Sequence, residues 1–104
     1  KNVLKLLYFI TIFSKDILIL TEIYLNSKML DSIKEIVRNT LDNQAIDFNL
    51  TDKLGDIDGW DSLAYLQIIS AIEKQFYFKF DLTRLIRVTT ISELIDEIKC
   101  SLEE

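Results

Sequence analysis

The stretch Gly59-Trp60-Asp61-Ser62-Leu63 ends a polar, turn-rich run and opens a segment that reaches Phe76 without glycine or proline. Apolar residues recur in this segment at steps of three and four, which favours a helix with one apolar side formed by Leu63, Leu66, Ile69, Ile72 and Phe76. Asp61 lies at the expected N-cap, where its carboxylate can accept hydrogen bonds from backbone N–H groups. Ser62 would then occupy the exposed first turn, where the helix dipole favours an anion such as a phosphate ester.

Three further helices are predicted around this one. Helical spacing from about Lys28 to Asp42 indicates the first helix, with the apolar set Leu30, Ile33, Ile36, Val37 and Leu41. Asp81 can cap a short third helix that runs through Ile86. Thr90-Ile91-Ser92-Glu93 forms a capping box that starts the last helix, whose inner residues are Ile91, Leu94, Ile95, Ile98 and Leu102.

The connections complete the predicted architecture. Residues 43–60 form a long loop, which we expect to be anchored to the core by Ile46, Phe48, Leu50, Leu54 and Ile57. The residues Tyr77-Phe78-Lys79-Phe80 alternate as a short strand would, but because no partner strand is predicted we expect an extended crossing. The sequence therefore predicts an all-α fold: a small four-helix bundle with three main helices, one short helix and a long loop between helices 1 and 2.

Composition excludes several classes of function. The 104 residues suit one domain, and they include no histidine, which excludes histidine acid–base chemistry, Ser-His-Asp triads and histidine-ligated metals. Cys100 is the single cysteine, so we expect neither an internal disulfide nor a cysteine metal site, and we place it in the core or at its boundary. Since the chain cannot form an internal disulfide, we expect the protein to function in a reducing compartment, the cytoplasm. The net charge of −5 argues against nucleic-acid binding. We therefore predict no catalytic residue, no bound metal and no enzymatic activity.

Residues 1–28 differ from the rest of the chain. Two apolar runs, 3–13 and 17–20, flank Ser14-Lys15-Asp16, and neither reaches the ~20 residues that span a bilayer. No small-residue cleavage site of a secretory signal follows the first run. Four lysines against one aspartate and one glutamate give this segment a charge of +2, which leaves −7 for the remainder. We expect residues 1–28 to be an apolar extension not native to the domain, and 29–104 to be the domain. The alternative is an extra helix used for oligomerisation.

Asp61-Ser62-Leu63, opening an amphipathic helix after a long acidic loop, resembles the acyl carrier proteins. The resemblance extends from Met29 to the C-terminus, including the last helix after Val88-Thr89-Thr90. It implies that the 4'-phosphopantetheine arm of coenzyme A esterifies Ser62, with Asp61 and Leu63 beside it in the attachment site. The arm ends in a thiol that carries acyl groups as thioesters. The resemblance thus implies a protein that holds and delivers acyl groups without catalysis.

The resemblance also implies partners. A magnesium-dependent phosphopantetheinyl transferase would attach the arm, since the chain has no histidine base to activate Ser62, and acyl-loading and acyl-using enzymes would follow. The expected partner-binding residues are Trp60, Leu63, Leu66 and Val88, although core packing is an equal alternative for Leu66. An inward-facing set would surround the space where the family shelters short acyl chains: Ile68, Ile69, Ile72 and Phe76. We expect a monomer with no membrane span.

The chain departs from the carriers of fatty-acid synthesis at several positions. Uncharged or basic residues replace the usual acids at Gln67, Lys74, Gln75, Arg84 and Arg87. Trp60 stands where small residues commonly precede Asp-Ser, and Gly-Trp-Asp-Ser-Leu is more similar to carriers of polyketide, nonribosomal-peptide or surface-saccharide pathways. An aminoacyl or peptidyl carrier is an alternative with the same chemistry. An alternative of another class is an unmodified helical module that binds a partner through its apolar face.

Overall fold

The elements of the fold were obtained from a computed structural model that describes residues 3–4 and 15–102. In the longer of these ranges the chain forms α1 (Lys15–Thr40), α2 (Ser62–Phe76), α3 (Leu82–Leu85) and α4 (Ile91–Leu102). A 3₁₀ turn at Leu54–Asp56 interrupts the long loop between α1 and α2. The described residues contain no strand, only an isolated bridge. The predicted fold class, with three long helices and one short helix, is confirmed.

Helix α1 is longer than the sequence analysis predicted. It is continuous from Lys15, whereas a start near Lys28 was expected, and it ends at Thr40 rather than at Asp42. No glycine or proline interrupts residues 15–40, so nothing in the chain terminates the helix on its N-terminal side at Met29. At its other end Asp42 adopts a left-handed conformation with φ 51°, and Asn43 N–H donates to Arg38 O at 3.0 Å. This is the Schellman pattern that closes a helix.

The core lies among the long helices. Helix α1 packs against α2 and α4, and α3 packs against α4. The predicted loop anchors are buried with the helical residues, except Leu50, which is partly buried. The buried side chains are all apolar among the described residues: Met29, Ile33, Ile36, Val37, Ile46, Phe48, Leu54, Ile57, Ala64, Ile68, Ile69, Ile72, Phe80, Leu85, Ile91, Leu94, Ile95 and Ile98. Because burial of apolar area is the main favourable contribution to folding, the buried side chains of the loop help to stabilise the bundle.

Backbone hydrogen bonds hold the second half of the loop against the connection between α3 and α4. Leu54 N–H donates to Thr89 O at 2.9 Å, and Ile91 N–H donates to Asp52 O at 3.1 Å. An antiparallel bridge between Lys53 and Thr90 lies between these bonds. The loop is therefore fixed to this connection at residues 52–54, before it turns toward α2.

The segment between α2 and α3 crosses without forming a strand, as predicted. Tyr77 ends α2 in the left-handed region at φ 59° and donates its N–H to Glu73 O. The carboxylate of Glu73 accepts the N–H of Phe80 at 2.8 Å. Asp81 then caps α3 as predicted, accepting from Thr83 N–H at 3.0 Å, although α3 ends at Leu85.

Cys100 is exposed, so its predicted placement in the core or at its boundary is wrong. The side of α4 that faces the core is filled by Ile91, Leu94, Ile95 and Ile98, which leaves Cys100 beside Arg84 of α3. Among the described helices, none has both the length and the apolar character needed to cross a membrane.

Candidate functional site

Ser62 is the first residue of α2 and is exposed. Asp61 before it has extended backbone angles, and its Oδ1 accepts the N–H of Ala64 at 2.8 Å. Gly59 adopts a φ of +86°, in the left-handed region that glycine tolerates best, and so allows the turn before Trp60. The predicted N-cap is confirmed, and it fixes where α2 begins.

A groove of about 450 Å³ lies beside Ser62. One side is formed by the loop, at Lys53, Gly55 and Asp56, and the other by the α3–α4 connection at Val88 and Thr89. Trp60 and Tyr65 also line it, and their rings are 5.5 Å apart between centroids. The groove brings Val88, which is distant in sequence, together with the consecutive residues Trp60, Asp61 and Ser62.

Tyr65 joins the beginning of α2 to α3, which the sequence analysis missed. Its hydroxyl donates to Leu85 O at 3.4 Å, and partial burial raises the pKa of the Tyr65 phenol. The helical pattern of α2 gave no signal for this contact, because Tyr65 lies off the predicted apolar stripe. The contact sets the position of the α3 end beside Ser62.

Two leucines predicted on the apolar stripe of α2 lie outside the core. Leu63 is 66% exposed and Leu66 is 63% exposed. The alternative that Leu66 packs in the core is therefore wrong. Helix α2 instead buries Ala64, Ile68, Ile69 and Ile72, with Phe76 partly buried. The inward-facing prediction is thus confirmed for the three isoleucines, and Leu63 and Leu66 remain next to Ser62 as apolar surface.

Charged side chains lie on the loop that precedes Ser62 and on α3. The loop carries Asp52, Asp56 and Asp58, of which Asp52 accepts the N–H of Asn49 at 2.6 Å. Within the described residues no group of three or more His, Cys, Asp or Glu side chains could hold a metal ion. Toward α3 the exposed residues include Arg84 and Arg87. Both arginines line a cavity together with Glu93, Asp96 and Glu97, so basic and acidic side chains lie together beside α3.

Comparison with known proteins identifies the family. A family model described as a phosphopantetheine attachment site matches residues 31–98. The solution NMR structure of a holo acyl carrier protein from Geobacter metallireducens is similar in fold, with a TM-score of 0.64 and 30% sequence identity, and the match covers 71% of this chain and 85% of that one. A search of curated proteins found no match. The chain therefore belongs to the phosphopantetheine attachment family as an acyl carrier protein, which bears the arm covalently and passes acyl groups to partner enzymes without catalysing reactions itself.

Proposed function

We propose that Ser62 is the residue that carries the 4'-phosphopantetheine arm. The observation that supports this is its exposed position at the capped N-terminus of α2, beside an open groove. The other serines of the matched region lie elsewhere on helices: Ser32 is partly buried within α1, Ser70 is exposed late in α2, and Ser92 is partly buried in α4. Ser62 alone combines exposure with the first position of a helix in that region.

The residues around Ser62 fit a phosphate-linked arm. The N-terminus of α2 favours a phosphodiester charge by about 0.3–1 kcal/mol. Transfer from coenzyme A would form a bond between Ser62 Oγ and phosphorus and break the bond from that phosphorus to the adenosine bisphosphate leaving group. The hydroxyl proton must pass to a base, and since this chain lacks histidine we assign that base to the transferase. Once attached, the arm supplies the thiol that holds an acyl group as a thioester.

Partner enzymes would bind the surface around Ser62. Leu63 and Leu66 offer exposed apolar area, while Trp60 and Val88 line the groove. We propose that a magnesium-dependent phosphopantetheinyl transferase and acyl-loading and acyl-using enzymes contact these four residues. The proposal extends to a specialised biosynthetic pathway, because the α2 surface lacks the usual acids. We further propose that the carrier is a monomer in the cytoplasm, where coenzyme A is available.

The test is intact-mass measurement after incubation with coenzyme A, magnesium and a broad-specificity transferase. The wild-type chain should gain one phosphopantetheine, and Ser62→Ala should gain none while keeping its helical circular dichroism. Ser70→Ala, a change at an exposed serine two turns along the same helix, should be modified as the wild type is. Modification of Ser62→Ala would show that the arm is attached elsewhere.

A further inference from the structure

The N-terminal part of α1 carries an apolar face that the bundle leaves open. Before Met29, where burial begins, Ile19, Leu20, Ile23 and Tyr24 are each between 58% and 65% exposed. These four residues, which we call the α1 face, recur at steps of one, three and four and so form one stripe along the helix. Removal of such a stripe from water is favourable, so the α1 face is suited to an apolar partner.

The α1 face points away from the bundle. The core side of the same helix is formed by Met29, Ile33, Ile36 and Val37. At about 3.6 residues per turn, the mean directions of the α1 face and the core side differ by about 120°. On the core side, Lys99 of α4 contacts Asn26 and lies 4.0 Å from Glu22. The α1 face can therefore lie against an extended flat surface while the bundle remains on the other side of the helix.

Charge distinguishes the segment that carries this face from the rest of the chain. Residues 1–28 contain four lysines against one aspartate and one glutamate, for a net charge of +2, which leaves −7 for residues 29–104. An anionic surface would therefore attract this segment and repel the bundle. Two copies of the chain, each with a net charge of −5, would instead repel one another.

The edge of the α1 face pairs an aromatic ring with a cation. Lys28 Nζ lies 5.6 Å from the centroid of the Tyr24 ring, and both side chains are exposed. Tyrosine is favoured where apolar chains meet water, and lysine can lay its aliphatic stem on apolar surface while its ammonium group reaches polar headgroups. An exposed apolar stripe edged in this way is typical of helices that lie in a membrane interface.

We propose that the α1 face binds the surface of a membrane that contains anionic lipids. Helix α1 lies along the membrane, with Ile19, Leu20, Ile23 and Tyr24 at the boundary between headgroups and acyl chains and with the acidic bundle on the far side. The proposal goes beyond carriage of the arm and does not depend on Ser62. Binding of this kind concentrates the carrier near enzymes that act at a membrane.

The test is flotation of the unmodified full chain with lipid vesicles. One set contains phosphatidylcholine with about 30% phosphatidylglycerol, and the other contains phosphatidylcholine alone. The chain should float with the anionic vesicles, with a partition coefficient about five- to tenfold higher than for the zwitterionic vesicles at low salt. The difference between the two lipids should shrink as salt screens the charges.

Matched variants locate the contact. The double variant Ile19→Ser/Ile23→Ser should lower the partition coefficient about tenfold or more, whereas Ile86→Ser, at an isoleucine of the α3–α4 connection that is 81% exposed, should float as the wild type does. Lys28→Glu should reduce binding to the anionic vesicles severalfold. Lys74→Glu, the same charge change at an exposed lysine of α2, should have little effect. Circular dichroism checks that each variant remains helical.

Several results would overturn the proposal. These are failure of the wild-type chain to float with anionic vesicles, equal flotation with the two lipids, and equal losses in the α1 double variant and Ile86→Ser. Sedimentation velocity without vesicles examines the rival occupant: a dimer that Ile19→Ser/Ile23→Ser abolishes, found together with no flotation, would assign the α1 face to a second copy of the chain. Ser62→Ala should float as the wild type does, so this proposal and the attachment at Ser62 can each fail alone.

Discussion

At the scale of single residues, Asp61 has a defined structural role next to Ser62, the proposed attachment residue. Its Oδ1 satisfies the N–H of Ala64, one of the amides that a helix N-terminus leaves without an intrahelical partner. Asp61→Ala should therefore lower the free energy of unfolding by about 1 kcal/mol. Asp61→Asn should retain most of the stabilisation that the cap provides, since asparagine also caps helices. Urea denaturation monitored by circular dichroism measures both changes.

The control for this prediction is Asp58→Ala. Asp58 is an exposed aspartate three residues earlier in the loop, and surface changes of this kind usually alter stability by less than about 0.5 kcal/mol. An equal loss in the Asp58 and Asp61 alanine variants would mean that overall charge, and not the cap, accounts for the effect.

At the scale of elements, the start of α4 carries a pH-dependent cap. The Glu93 carboxylate accepts from the hydroxyl of Thr89 at 2.7 Å and from the N–H groups of Thr89 and Thr90, while Glu93 N–H donates to Thr90 Oγ1 at 3.2 Å. The bonds from Thr89 and Thr90 lower the pKa of Glu93. Since its folded pKa is below its ordinary value, the stabilisation is complete at neutral pH and is lost as pH falls through the folded pKa.

The matching experiment is Glu93→Gln, which keeps a hydrogen-bonding side chain but removes the titration. Urea midpoints measured from pH 7 down to pH 3 should fall less steeply for this variant than for the wild type. Some slope should persist, because Lys34 lowers the pKa of Asp47 and Thr83 lowers that of Asp81. Glu35→Gln, at an exposed glutamate of α1, serves as the control. If the urea midpoint of Glu93→Gln fell with pH as steeply as that of the wild type, Glu93 would not be a source of the pH dependence.

At the scale of the whole molecule, α1 extends beyond the bundle that it helps to form. Burial begins at Met29, and before it α1 exposes the apolar side chains of Ile19, Leu20, Ile23 and Tyr24. This part of α1 meets α4 through Lys99, which contacts Asn26 and lies 4.0 Å from Glu22. Lys99 is partly buried and Glu22 is exposed, and an ion pair this near the surface contributes little to stability.

A chain that starts at Met29 should therefore unfold within about 3 °C of the full chain and still accept the arm. The full chain should associate more readily, because it exposes more apolar surface. Calorimetry and sedimentation velocity measure the two effects, and full-length Ile23→Ser, which removes one exposed apolar side chain, should reduce association without altering the thermal midpoint. A large fall in the midpoint on truncation would mean that residues 1–28 pack on the bundle.

The sequence by itself determined the features that depend on neighbours along the chain. The caps at Asp61, Asp81 and Thr90 were predicted correctly, since each uses a side chain that bonds to a backbone N–H two or three residues later. The four helices within residues 15–102 and the buried loop anchors were predicted from the positions of apolar residues. The position of Ser62 at the start of α2 belongs to the same group, because the cap defines it.

Only the tertiary structure decided which apolar surface is left open and what surrounds Ser62. Leu63 and Leu66 share the spacing of buried residues but are exposed, since no element within residues 15–102 covers that side of α2. The groove exists because the loop bonds to Thr89 and Tyr65 reaches Leu85, contacts between residues 20 or more positions apart. Periodicity shows that a helix has an apolar face, whereas burial depends on whether a distant segment packs against it.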